Sequence, residues 1–230
     1  LYASPFLEPI TSPIAYSILS RFHKSASATF VATEALRDDL QNHGFKNLVL
    51  APLGVDTDRF RRVATLEPAL PGPVFVCIGR VVLEKNTEEF LKLTLPGTKI
   101  VIGDGDMRST LEKKYPEAIF TGILRGEELV EWMSRGDVMV CPSRTETFGL
   151  VMAEAMGCGM PVAAHDCMGP RQIVTDGVDG YLREDLESAA LDCLTLPHAR
   201  EAARATALQF SCATAADTFP SPPASPPSTP

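Results

Sequence analysis

The chain has 230 residues, 21 of them basic and 29 acidic, which gives a net charge of −8 with the histidines neutral and argues against a nucleic-acid binder. Hydrophobic residues at 45% and charged ones at 22% describe a globular chain long enough for one good core or two small ones. The six cysteines hold no C-x-x-C pair, so the thiols are read as reduced and the compartment as cytoplasmic.

Leu1 to Ser20 carries three prolines and no basic leader, and no window nears the ~18 apolar residues a spanning helix needs. The opening on Leu1 is read as a truncation. A helix is expected over Ile14–Phe22, a strand over Ala28–Ala32, a helix over Glu34–His43 capped by Thr33 and ended by Gly44, and a strand over Asn47–Ala51. PLGVDTDRF follows, and Glu67–Pro73 reads as linker. A second block then alternates strands at Val74–Ile78, Thr98–Ile102, Ala118–Thr121, Asp137–Cys141, Pro161–Ala164 and Gly180–Leu182 with helices. Those helices are expected at Thr87–Leu93, Met107–Tyr115, Glu127–Arg135, Phe148–Met156, near Arg171–Thr175, and from Asp185 to about Gln209. The fold class is therefore α/β, a doubly wound parallel sheet with its ligand site at the carboxyl ends of the strands. Phe219–Pro230 holds six of the nineteen prolines and no charge, and is expected to be disordered.

The residues that follow each strand are therefore the candidates. Gly79-Arg80 and Glu84-Lys85-Asn86 place two cations around one loop, which suits a phosphate clamp or, alternatively, plain surface charge. Gly103-Asp104-Gly105-Asp106-Met107-Arg108 begins like a dinucleotide fingerprint but has Arg108 where the third glycine belongs, so its glycines are read as a tight turn. The triplets Asp56-Thr57-Asp58 and Asp104-Gly105-Asp106 are read as turns as well, and no metal or cofactor is called for.

The segment from Pro142 to Met156 carries the strongest signal. The helix expected from Phe148 is apolar almost all round, yet Glu154 lies in its middle, and a buried acid needs compensation. Ribose hydroxyls would supply it; an internal basic partner is the other possibility. Glu146, on the preceding loop, can take sugar hydroxyls in the same way or merely cap the helix. The amides of Phe148, Gly149 and Leu150, at the positive end of the helix, suit a phosphate.

The ordered set Gly79-Arg80-x4-Lys85-Asn86, Gly103-Asp104-Gly105, Glu146 and Glu154 eight apart across T-F-G-L, and Gly159-x-Pro161-Val162 resembles the retaining nucleotide-sugar glycosyltransferases of family 4. The GDP-mannose-dependent α-mannosyltransferases and the sulfoquinovosyl transferases are the most similar in motif. The resemblance covers roughly Ala28–Leu194 and implies the GT-B fold of two facing Rossmann-like domains. It implies that Arg80 and Lys85 hold the donor diphosphate, that Glu146 contacts the transferred sugar and Glu154 the ribose, and that Gly122-Ile123-Leu124 lies against the base. Met168 and Gln172 stand where the family has a glycine and an acid.

On this reading residues 1–60 are the end of an acceptor domain, 61–73 a linker, 74–210 the donor-binding domain and 211–230 a disordered tail. The expected activity is hexosyl transfer, with Arg80, Lys85 and Glu146 catalytic and no metal. The donor would be GDP-mannose or a UDP-sugar, the acceptor a lipid or glycan, with peripheral association at the inner membrane face. The alternatives are a sugar-nucleotide epimerase and a nucleotide-binding fragment without chemistry, and the chain alone is expected to bind nucleotide without transferring sugar.

Overall fold

A computed structural model of the chain describes residues 8–63 and 67–218, with side chains from residue 14 onward. The stretch Phe219–Pro230, expected as a disordered tail, lies outside the described residues. The chain divides into two compact units: one runs to Leu53 and takes in the residues from Ala215 on, and the other is Gly54–Thr214.

In the smaller unit helix α1 (Glu8–His23) is followed by strand β1 (Thr29–Val31), helix α2 (Glu34–Asn42) and strand β2 (Leu48–Leu50). The two strands pair in parallel, Thr29 opposite Leu48, so β1–α2–β2 is a βαβ unit. Thr33 opens α2 in extended backbone, its Oγ1 accepting from the amide of Leu36 at 3.0 Å. Gly44, at φ +82°, turns the chain out of it.

The larger unit alternates β3 (Val74–Ile78), α3 (Thr87–Lys92), β4 (Thr98–Ile102), α4 (Arg108–Lys114), β5 (Ile119–Gly122), α5 (Gly126–Ser134) and β6 (Val138–Cys141). It continues with α6 (Leu150–Gly157), β7 (Val162–Ala164), α7 (Met168–Ile173), β8 (Gly180–Leu182), α8 (Leu186–Cys193) and α9 (Ala199–Gln209). The six strands are parallel and ordered β5-β4-β3-β6-β7-β8. Counted from β3 this is 3-2-1-4-5-6, so the winding reverses between β3 and β6, where Phe75 lies opposite Val138. Helices cover both faces, which is why VFVCI and VMVC are unbroken apolar runs. Phe75, Val101, Val138, Val140 and Ala163 pack with Phe90, Leu91, Leu111 and Leu186 in one core.

Helix α1 begins at Glu8, six residues before the expected Ile14, and several other boundaries differ from the sequence reading for a local reason. Helix α6 starts at Leu150 instead of Phe148, because Gly149 takes left-handed backbone (φ +85°, ψ 46°) and the Phe148 ring turns into the core, edge-on to Phe210 at 6.1 Å. Helix α7 starts at Met168, not Arg171: Pro170 stands in its first turn, where the missing N–H is no loss. Part of the segment placed in the tail is helix α10 (Cys212–Thr218), which Ser211 caps by accepting from the amide of Thr214 at 3.1 Å. Finally, residues 54–60, placed by the sequence reading with the βαβ segment, fall in the larger unit, against α9 and the residues that follow it. Val55 exchanges backbone bonds with Phe210 and Cys212 at 2.7 and 2.9 Å, and the Arg204 guanidinium donates to the carbonyls of Thr57 and Phe60 at 2.9 and 2.6 Å.

Candidate active site

At the carboxyl ends of β3 and β6, where the winding reverses, the structure has a cleft of about 240 Å³. Its walls include Gly79, Arg80, Lys85 and Thr87 from the β3 side and Cys141, Pro142, Glu146, Gly149, Leu150 and Val151 from the β6 side. The reversal itself opens it, since the connections after β3 and β6 leave on opposite faces of the sheet.

A layer of glycines lets the three strand-end loops nest beneath this cleft. Gly103 sits at φ +140° with its amide donating to Gly122 at 2.9 Å, and a Cβ on it would lie 1.9 Å from the carbonyl oxygen of Gly79. A Cβ on Gly105 would lie 2.2 Å from the carbonyl of Val81. The Gly103–Gly105 turn is thus a packing device for the neighbouring loop, as the failed fingerprint suggests, and Asp104 closes it by accepting from the amide of Gly105 at 2.8 Å. Asp56 of the other triplet likewise accepts from the amide of Arg59 at 3.0 Å.

Lys85 Nζ lies 2.6 Å from Glu146 Oε2, with 26% and 16% of the two side chains exposed. The structure thereby brings together the cation and the carboxylate that the sequence placed at different strand ends. Arg80 pairs with Glu84 and its side chain is 68% exposed, so of the two cations Lys85 is the better shielded from water. Glu146 is held from behind by α7: the Gly169 amide donates to its carbonyl at 2.8 Å, and a Cβ on Gly169 would come within 2.7 Å of that oxygen. Sequence reading noted the M-G-P segment only as a departure from the family pattern. The surviving glycine is the readable signal, because close backbone approach demands it.

Past Gly149, helix α6 presents its first turn to the cleft through Leu150 and Val151. Phe148, whose amide was expected at the site, has its side chain in the core and is not among the cleft walls. Glu154 lies farther along α6, outside the cleft walls, and its carboxylate has no hydrogen-bond or ion-pair partner among the described residues. Burial alone pushes its carboxyl up to about 7. The internal basic partner that would have made it structural is absent among those residues. Ile123 is exposed and Leu124 half-buried, and neither lines the cleft. Burial raises the thiols of Cys77 and Cys141, the latter to about 12, so these cleft residues act as small apolar groups and not as nucleophiles.

A six-stranded doubly wound sheet with a cation–carboxylate cleft at its reversal defines a Rossmann-like domain with its site at the switch point. Residues 72–196 match the model of the family of group 1 glycosyl transferases, and the chain belongs to that family. It is 36% identical over 209 residues to a sulfoquinovosyl transferase of Arabidopsis thaliana, covering 81% of this chain and 41% of that protein. It is 31% identical over 189 residues to a GDP-mannose-dependent α-mannosyltransferase of Mycobacterium tuberculosis, covering 79% and 50%. The chain thus spans about half the length of the curated relatives it matches. In fold it is similar to Anabaena HepE, solved in complex with UDP and glucose, with a TM-score of 0.74 at 18% identity over 89% of this chain and 65% of that one. The likeness is one of fold, a parallel α/β sheet with flanking helices. No helix among the described residues is long and apolar enough to cross a membrane.

Proposed function

We propose that the larger unit is the donor-binding half of a glycosyltransferase that moves a hexosyl group from a nucleoside diphosphate sugar to an acceptor with retention at the anomeric carbon. One observation carries the reading: Lys85, Glu146, Arg80 and the first turn of α6 converge on one cleft at the switch point. The diphosphate lies against Lys85 and Arg80, with the amides of Leu150 and Val151 at the positive end of α6. As the glycosidic bond breaks, negative charge grows on the diphosphate, and these groups stabilise it from fixed positions. Glu146 then orients the sugar hydroxyls, its backbone anchored by Gly169 and its carboxylate by Lys85. Glu154 takes the ribose hydroxyls and the segment Gly122-Ile123-Leu124 the base.

The names of the relatives support a GDP- or UDP-linked hexose as donor, and the acceptor in this reading is a lipid or a glycan. Cytoplasmic placement with peripheral association at a membrane face belongs to the same proposal. A thermal-shift panel of UDP, GDP and ADP, each with and without its sugar and beside its parent nucleoside, tests the reading: diphosphates raise the melting temperature and nucleosides do not. A flat response to every nucleotide would refute it. With radiolabelled donor, label moving to an acceptor separates a transferase from an epimerase, which alters the free sugar nucleotide alone.

A further inference from the structure

His165 directly follows β7 and is 1% exposed, yet it belongs to no part of the cleft described above. Its Nε2 lies 3.1 and 3.2 Å from the two carboxylate oxygens of Glu89, on α3. Its Nδ1 is buried without a hydrogen-bond partner among the described residues. Burying an imidazole with one nitrogen unpaired is unfavourable, so the bond to Glu89 is what the residue contributes. Glu89 in turn accepts from the side-chain amide of Asn86, and Arg144 stands 3.7 Å away to balance its charge.

Asn86 is the pivot of this chain of contacts. It adopts left-handed backbone (φ 54°, ψ 33°) between a single 3-10 turn, Leu83–Lys85, and the start of α3. Asparagine tolerates that conformation better than other side chains, but only a surrounding network makes it the single conformation populated. The residues on either side, Lys85 and Thr87, both line the cleft. In register, Ala164 of β7 lies opposite Cys141 of β6, so the histidine reaches over the end of β6 to α3 and ties the two sides of the switch point together.

We propose that His165 is a positioning residue for diphosphate binding: through Glu89 and Asn86 it fixes the turn that aims Lys85 into the cleft beside Glu146. The proposal rests on the reading of Lys85 as the cation that binds the diphosphate. A fixed ammonium gives up less freedom when phosphate arrives than one on a loose turn, and the difference appears as affinity.

A double-mutant cycle tests it, with UDP and GDP titrated calorimetrically into the whole chain. His165→Leu weakens diphosphate binding about fivefold and leaves the nucleoside unaffected, whereas in a Lys85→Ala background the same substitution changes nothing further. His165→Gln, whose amide can reach Glu89, restores most of the loss. Should His165→Leu fail to fold, Glu89→Gln, at a partly exposed site, is carried through the same cycle with the same expectation. A loss that persists undiminished in the Lys85→Ala background, or no loss at all in the wild-type background, overturns the inference and leaves the reading of the cleft standing. Absence of diphosphate binding by the wild-type chain overturns both.

Discussion

Glu154 keeps its proton in the folded chain to about pH 7, against an ordinary value of 4.5. Its folded pKa is the higher one, so the associated stability is fully present below 4.5 and is lost as the pH rises through 7. Glu154→Gln mimics the protonated acid and should leave the protein equally stable at pH 4.5 but more stable at pH 8. Allowing for solvent screening at a side chain that is not fully buried, the gain is about 1 kcal/mol, or roughly 2–4 °C. The same variant should lose affinity for ribonucleotides more than for their deoxyribose counterparts. A variant that melts lower at pH 8 with unchanged binding would show the carboxylate to be structural. At Lys85 the expectation follows from its shielding: Lys85→Ala weakens nucleoside diphosphate binding by roughly 10- to 150-fold, and Arg80→Ala by less, because its guanidinium faces water. Equal losses for the two in a titration would contradict that ranking. The half-buried acid was legible because it breaks an apolar helix pattern, and both cations because they follow the end of a strand. The Lys85–Glu146 pair was not, because a contact across 61 positions depends on strand order, which no local window contains.

At the scale of the elements, the strands and their order of alternation could be read because a sheet covered on both faces writes itself as unbroken apolar runs. Helix starts were less legible. Gly149 could as well have continued the helix by sequence, and its left-handed backbone is imposed by packing, with Phe148 drawn into the core. The start of α7 was masked by Pro170, which reads as a breaker until it is seen to occupy a first turn. That helix has a role the sequence did not disclose, for its Gly169 meets the backbone of Glu146. Gly169→Ala pushes a methyl group to within 2.7 Å of that carbonyl and must displace the glutamate. It should weaken binding of the intact sugar nucleotide more than that of the diphosphate alone, by about tenfold against little change. Parallel losses for both ligands, compared by calorimetry, would show that the contact only supports the fold.

For the whole molecule, the division at Leu53 and Gly54 makes residues 54–60 part of the larger unit. Sequence composition could not show this, because PLGVDTDRF looks like a connection; the acceptors it offers Arg204 lie 144 and 147 positions away. A chain of residues 54–214 should therefore unfold cooperatively and bind nucleoside diphosphate as the full chain does. One beginning at Arg61 leaves Arg204 without the carbonyls of Thr57 and Phe60 and should melt roughly 5–10 °C lower, a loss on the order of 2–4 kcal/mol. Equal melting temperatures for the two would place the boundary after Phe60. The central claim, that the cleft between β3 and β6 takes the diphosphate of a sugar nucleotide, is tested most directly by calorimetric titration of UDP, GDP and their nucleosides into the wild-type chain and Lys85→Ala. The account predicts saturable one-to-one binding of at least one diphosphate, weakened in Lys85→Ala while the parent nucleoside binds both proteins alike. Diphosphate binding that is undetectable in the wild-type chain, or that survives Lys85→Ala unchanged, would contradict it.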